Sequence, residues 1–270
     1  MLEIRTVSKT FNPGTPNALC ALRAVSLTVE DGSFLVIIGT NGSGKSTLLN
    51  AVAGSFCVDS GVISLAGQDI TGWPEYRRAK LIGRVFQNPF NGTAANMSIA
   101  ENLALAAFRG RPRRLGWSLR RQLVGKLRDG VAQLNMGLED RLKNPISSLS
   151  GGQRQALTLL MATWRRPEVL LLDEHTAALD PKSADQVIAL TDAIIRRDKL
   201  TTLIVTHSMQ QAANLGDRLI MMHRGRIIQD FHGAEKKRIR VNDLLARFEE
   251  VRRAELLDET AAEMLRRAYI

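Results

Sequence analysis

The chain has 270 residues, 44% of them hydrophobic and 24% charged, the make-up of an ordinary globular protein long enough to bury a core. No apolar run approaches the ~18–20 residues of a membrane-spanning helix, Met1 leads straight into Glu3 and Arg5, and Cys20 and Cys57 fit no metal or redox spacing; the expectation is a chain without a membrane span or secretory leader in a reducing compartment. Its 37 basic and 27 acidic residues leave a net charge of +10, which suits nucleic acid or the anionic cytoplasmic leaflet of a membrane.

Strand-like runs at 2–6, 25–29, 34–38 and 62–65 dominate the first third, broken by Gly and Pro. Directly after the run 34–38 comes Gly39-Thr40-Asn41-Gly42-Ser43-Gly44-Lys45-Ser46-Thr47, a phosphate-cradling loop that opens a helix over 47–52. Its glycines let successive backbone N–H groups point at phosphate oxygens, and the helix adds the positive end of its dipole. In such a loop Lys45 reaches the β- and γ-phosphates and the Ser46 hydroxyl binds Mg²⁺.

The middle of the chain, 91–147, reads as largely helical, with one helix over 99–108 and another through the basic stretch to 138. Between Arg109 and Arg128 lie eight basic residues (Arg109, Arg111, Arg113, Arg114, Arg120, Arg121, Lys126, Arg128) around Trp117, with no acidic one. The stretch is either a solvated helix face or a contact with anionic lipid headgroups. Leu149-Ser150-Gly151-Gly152-Gln153 then opens a helix over 153–164, a second helix N-terminus suited to an anion. Next come a strand over 169–172 ending in Asp173-Glu174, a helix over 184–196 with Val187, Leu190 and Ile194 on one face, and the strand Thr202–Val205 ahead of His207. A hairpin pairs 218–222 with 226–229 across Arg224-Gly225. From 235 the tail is charged and helical, and Leu244, Leu245, Phe248 and Val251 are expected to pack on the core. Strands alternating with helices imply an α/β fold with a parallel sheet and a ligand at the carboxyl ends of its strands.

Taken together, the phosphate loop and Leu149-Ser150-Gly151-Gly152-Gln153 resemble the ATP-binding subunit of an ABC transporter. The resemblance runs from about Leu2 to Asp230. It implies a P-loop ABC ATPase with a RecA-like parallel-sheet core, an antiparallel β subdomain and an inserted helical subdomain. One ATPase domain would span 1–250, with core and β subdomain over about 1–90 and 155–235, the helical subdomain over about 91–154, and a helical tail over 235–270. It implies ATP and Mg²⁺ as ligands. By the same resemblance Asp173 holds Mg²⁺ with Ser46, Glu174 polarises the attacking water, His207 contacts the γ-phosphate, and Gln87 touches Mg²⁺ or the water. Phe11 takes the place of the aromatic that stacks on adenine, usually Tyr, and Asp180 belongs to a loop along the dimer interface. Ser150, Gly151, Gly152 and Gln153 address the γ-phosphate held by a second copy, so that two copies sandwich two nucleotides head to tail. His175 departs from the pattern, where Pro usually follows the Glu.

The run 172–181 looks like that of a bacterial importer group, which implies a separate transmembrane permease and a substrate-binding lipoprotein as partners, a place on the cytoplasmic face of the inner membrane, and an amino acid as cargo. An exporter ATPase and a soluble ABC ATPase acting on nucleic acid are the alternatives. The separation of Lys45 from Ser150 leaves no room for the coiled coil of the chromosome type, and each motif occurs once, unlike the translation type; both argue against nucleic acid.

Overall fold

The structure, a computed structural model, describes residues 1–110, 121–251 and 253, apart from the side chain of Arg121. Strands β1 (Leu2–Phe11), β2 (Leu19–Val29), β4 (Ser60–Leu65) and β5 (Gln68–Asp69) pair antiparallel in the order β2-β1-β4-β5. A second sheet contains β3 (Phe34–Gly39), β6 (Ile82–Val85), β7 (Val169–Asp173), β8 (Thr202–Val205), β9 (Arg218–His223) and β10 (Arg226–His232), in the order β10-β9-β3-β8-β7-β6. Strands β9, β3, β8, β7 and β6 run parallel, and β10 closes the edge as an antiparallel hairpin with β9.

The apolar runs of the parallel strands follow from burial on both faces. Leu35 and Ile37 of β3, Leu171 of β7 and Val205 of β8 join one core, shared with the antiparallel sheet and with α1 (Lys45–Ala53). Their neighbours Val36, Ile38, Leu172 and Ile204 face a second core on the opposite side of the sheet, beneath α6 (Pro181–Asp198). A third cluster is helical, built by α3 (Ile99–Ala107), α4 (Arg121–Ala132) and α5 (Gly151–Thr163) around Leu103, Leu127, Val131 and Leu157.

Several elements extend or shorten the sequence expectation for local reasons. β1 continues beyond residue 6, because the register shifts between Ile4 and Val7 and Thr6, at φ 48°, gives its N–H to Ser26 Oγ at 2.9 Å. Such a bulge breaks the alternation by which a strand is read. The helix expected to reach 138 stops at Ala132, where Asn135 (φ 53°) and Gly137 (φ 65°) take left-handed backbone. Helix α6 starts at Pro181 rather than 184, because Asp180 caps it through the Ser183 N–H at 3.0 Å. Strand β6, α2 (Glu75–Arg78) and α7 (Met209–Asn214) are too short to show a period and lay unread in the sequence.

In the tail, α8 (Gly233–Arg238) is followed by helical residues 241–251. Leu244, Phe248 and Val251 join the core under α6 as expected, but Leu245, about 100° round the helix from Leu244, is 44% exposed. Among the described residues no helix is long and apolar enough to cross a membrane. Of the basic stretch, Arg111, Arg113, Arg114, Trp117, Arg120 and the side chain of Arg121 lie outside the described residues, as does the tail beyond 253. Arg109 is half-buried and donates to the carbonyls of Ala162 (3.1 Å) and Arg165 (3.0 Å).

Candidate functional site

The carboxyl ends of three adjacent parallel strands meet at one place. β3 delivers Gly39 and the loop to Thr47, β7 delivers Asp173 and Glu174, and β8 is followed by His207. Gly44, the N-cap of α1, has φ 100°, and a Cβ there would stand 2.5 Å from the Ala21 carbonyl oxygen, so only glycine lets the loop lie this close to β2. The first turn of α1 follows at once, with N–H groups that have no carbonyl behind them in the helix.

Lys45 is 5% exposed and donates to the carbonyls of Gly39 and Thr40, each at 2.9 Å. Burial holds its ammonium below the ordinary lysine range, and the negative charges of Glu174 and Asp173 partly offset that. The Ser46 hydroxyl donates to Asp173 Oδ1 at 3.0 Å, so two oxygen ligands of the kind a hard divalent cation takes are already paired. Ser43 Oγ is buried and has no hydrogen-bond partner among the described residues, an orphan inside the loop that suits a polar ligand.

Glu174 carries a left-handed backbone, φ 45°, which costs about 1 kcal/mol in a residue with a side chain. Its N–H is held by the Val205 carbonyl at 3.0 Å, and its Oε1 lies 2.5 Å from His207 Nε2. The carboxylate side chain is only 12% exposed, whereas His207 is 47% exposed at the rim. His175 turns the other way. It is 2% exposed, its Nε2 lies 3.0 Å from Thr191 Oγ1 on α6, and burial pushes its pKa down to about 4. Because the Thr191 hydroxyl donates to the Val187 carbonyl at 2.7 Å, it can only accept from His175, which fixes the imidazole as a neutral Nε2–H donor.

The remaining expected residues make no hydrogen bond or ion pair with this cluster among the described residues. Phe11 packs edge-on against Phe56, with ring centroids 5.2 Å apart, and Lys9 Nζ lies 5.6 Å from one ring centroid and 5.5 Å from the other. Phe56 went unread in the sequence, since no period links positions 11 and 56. Gln87 follows β6 and is exposed, and its side chain makes no hydrogen bond among the described residues. At the start of α5, the Ser150 Oγ accepts from the Gln153 N–H and the Gln153 Oε1 from the Ser150 N–H, both at 3.2 Å. Gly152 presses this helix start on α6, since a Cβ there would lie 2.9 Å from Ser183 Cβ. Gly151 faces Leu179, one residue before Asp180, the cap of α6. No hydrogen bond or ion pair among the described residues joins 150–153 to the loop 39–47.

Comparison with known proteins bears on the family and the fold. The family model described as "ABC transporter" matches residues 22–177. A tyrosine transport ATP-binding protein of Clostridioides difficile is 45% identical over 251 residues, covering 92% of this chain and 99% of that one. A methionine import ATP-binding protein of Corynebacterium efficiens is 35% identical over 233 residues, covering 84% of this chain but 62% of the longer relative. Among solved structures, an ATP-binding cassette of an ABC transporter superposes over 93% of this chain with a TM-score of 0.76 at 27% identity, covering 98% of that chain. A dimeric cassette in a post-hydrolysis state, bound to ADP and Pi, superposes over 86% of this chain and 98% of its own with a TM-score of 0.72 at 26% identity.

Proposed function

The chain belongs to the ABC transporter family, and from that premise we propose that two copies bind and hydrolyse ATP head to tail to drive uptake of a small solute, an amino acid, through a separate membrane permease. The observation that carries the reading is the meeting of Lys45, Ser46, Asp173, Glu174 and His207 at the ends of β3, β7 and β8. The loop 39–47 takes the phosphates on its N–H groups and Lys45, and Phe11 offers its ring to the base. Ser46 and Asp173, with Gln87, would hold Mg²⁺, which when bound neutralises charge on the phosphate oxygens. Glu174 orients the attacking water, and His207, within hydrogen-bond reach of that carboxylate, stands at the rim where the γ-phosphate enters.

At the start of α5 Ser150 and Gly151 are exposed and the helix is capped by its own Ser150 and Gln153, which suits a surface that meets the nucleotide of a second copy. Closure of two such copies on ATP and their opening after hydrolysis would supply the stroke. For the division of the chain, we take the helical cluster over about 91–154 as a subdomain inserted into the core. Between them, Val85, Phe86, Pro89, Leu105 and Met161 line a groove of about 250 Å³, the place proposed for the permease. Such a chain sits peripherally on the cytoplasmic face of the inner membrane, served by a substrate-binding lipoprotein on the other side. The amino-acid cargo is supported by the names of the tyrosine and methionine relatives.

The test is Glu174→Gln in the purified chain. Turnover is expected to fall by more than about 100-fold, while ATP with Mg²⁺ converts the variant into a stable dimer on size exclusion. A variant that hydrolyses ATP like the parent would remove Glu174 from its role.

A further inference from the structure

A groove of about 650 Å³ lies where the helical cluster meets the end of α6. Helix α4 contributes Lys126, Asp129 and Gly130 to its lining, and the end of α6 contributes Arg197, Asp198 and Lys199. Trp164, which closes α5, and Arg166 after it line the groove as well. None of these residues belongs to the phosphate-loop cluster or to the start of α5. Arg197 Nη1 bridges the two bodies, donating to Gln133 Oε1 at 2.9 Å.

The charges along the groove do not cancel. Four cations, Lys126, Arg166, Arg197 and Lys199, stand with two carboxylates, Asp129 and Asp198, an excess of two positive charges. Asp198 is already taken by Arg197, which donates to both its oxygens at 2.8 Å. The side chains of Lys126 and Lys199 make no hydrogen bond or ion pair among the described residues, and Arg166 has only a longer-range attraction to Asp198.

Three positions on the lining also depart from what packing alone selects. Gly130 stands inside α4, where alanine is the better helix former. It leaves room for the indole, since a Cβ at 130 would lie 2.5 Å from Trp164 Cζ3. An alanine opposite a leucine would join α4 to the end of α5 without weakening the helix. Instead glycine meets a half-buried tryptophan whose N–H bonds to nothing among the described residues. Lys199 ends α6 at φ 46°, the left-handed backbone that glycine or asparagine adopts most readily. A flat ring and a cation thus stand on the groove against local preference, and such departures cluster where ligands bind.

We propose that this groove is a second ligand site, separate from the phosphate loop, and that it takes a nucleoside monophosphate. A phosphate monoester carries about −1.5 to −2 in charge at neutral pH, which matches the excess on the lining. Lys126, Arg166 and Lys199 meet the phosphate, and Trp164 offers its indole to the base. The volume of the groove falls within the range of small-molecule sites. Bound there, the ligand touches α4 and the end of α6 together and reinforces the bridge from Arg197 to Gln133. The inference does not depend on ATP binding at 39–47.

The experiment is calorimetric titration of the full chain with adenosine monophosphate, comparing the parent with Lys45→Ala, Lys126→Gln/Lys199→Gln and Trp164→Leu. Both lysines are exposed, so their double variant is expected to keep the fold, which a thermal melt checks. Lys199→Gln alone replaces it should it melt early. Lys45→Ala is expected to bind as the parent does, whereas the double-lysine variant binds about tenfold more weakly. Trp164→Leu weakens binding as well, and Trp164→Phe, which keeps a ring, restores part of it. No binding by the parent, or equal binding by the double-lysine variant, overturns the site. Loss of binding in Lys45→Ala alone places the ligand in the phosphate loop and overturns it too. Inorganic phosphate that binds as tightly as adenosine monophosphate overturns the choice of a nucleotide, since the ring would then add nothing.

Discussion

Around the loop 39–47 the charged and polar side chains meet within the chain: Lys45 on loop carbonyls, Ser46 on Asp173, Glu174 on His207. At the start of α5, Ser150 and Gln153 bond to one another, Gln153 Nε2 also reaches the Met136 carbonyl at 3.5 Å, and Gly151 is exposed. The first region is rooted in strands buried on both faces, the second in a helix N-terminus on the surface of the helical cluster. Under the proposed function, the difference separates a half-site that is built before the ligand arrives from one that is only presented. A helix cap satisfied by its own side chains holds its shape in water and gives those N–H groups to an anion when one is brought to it.

If that contrast is real, the two regions should differ in what a substitution does to stability. Arg78 is 2% exposed and donates to the carbonyls of Ala51 and Val52 at the end of α1, and to those of Thr71 and Trp73. Arg78→Met strands these carbonyls under the phosphate-loop helix and is expected to cost about 3 kcal/mol in urea unfolding. Ser150→Ala loses one exposed cap and about 1 kcal/mol. Equal losses would break the contrast.

His175 gives a second, smaller probe of how closed the core side is. The folded imidazole stays neutral down to about 4, while in the unfolded chain it takes up a proton near 6.5. The unfolded state therefore binds more protons between those values, and stability is full above pH 6.5 and is lost as pH falls toward 4. From pH 8 to pH 5 this one group is expected to withdraw about 2 kcal/mol. His175→Gln, which keeps a donor for Thr191, should flatten that part of the curve; an unchanged slope would mean that water reaches the imidazole.

The sequence was legible where one signal is local and periodic. The phosphate loop, the apolar strands 34–38 and 169–172 and the strand Thr202–Val205 stand where their residues say, because each is an uninterrupted run followed by a change of chemistry. β6 was not legible: Gly83 and Arg84 interrupt Ile82 and Val85, since Gly83 lets the sheet edge approach the Ala162 carbonyl and Arg84 reaches Asn50 and Ser55. The pairing of Phe11 with Phe56, the left-handed backbone of Glu174 and the contacts of Arg154 with Phe90 and of Gln155 with the Phe86 carbonyl depend on distant segments, which no window of sequence contains. The capping box at Ser150 was written in the sequence as a serine three residues before a glutamine, yet the helix starts at Gly151 rather than 153, since glycine weakens a helix without forbidding its first turn.

The central claim is that a site is completed only across two copies, and mixing two defective chains tests it directly. Lys45→Ala spoils the phosphate loop and Ser150→Arg spoils the start of α5, so either variant alone should hydrolyse almost no ATP. In a mixed dimer one site has both parts spoiled and the other has both intact. An equal mixture that exchanges freely is then expected to recover about a quarter of the parent's ATPase rate, one good site in half of the dimers. A mixture no more active than the average of the two variants alone would contradict the account, since each chain would then be working with its own phosphate loop and its own helix start.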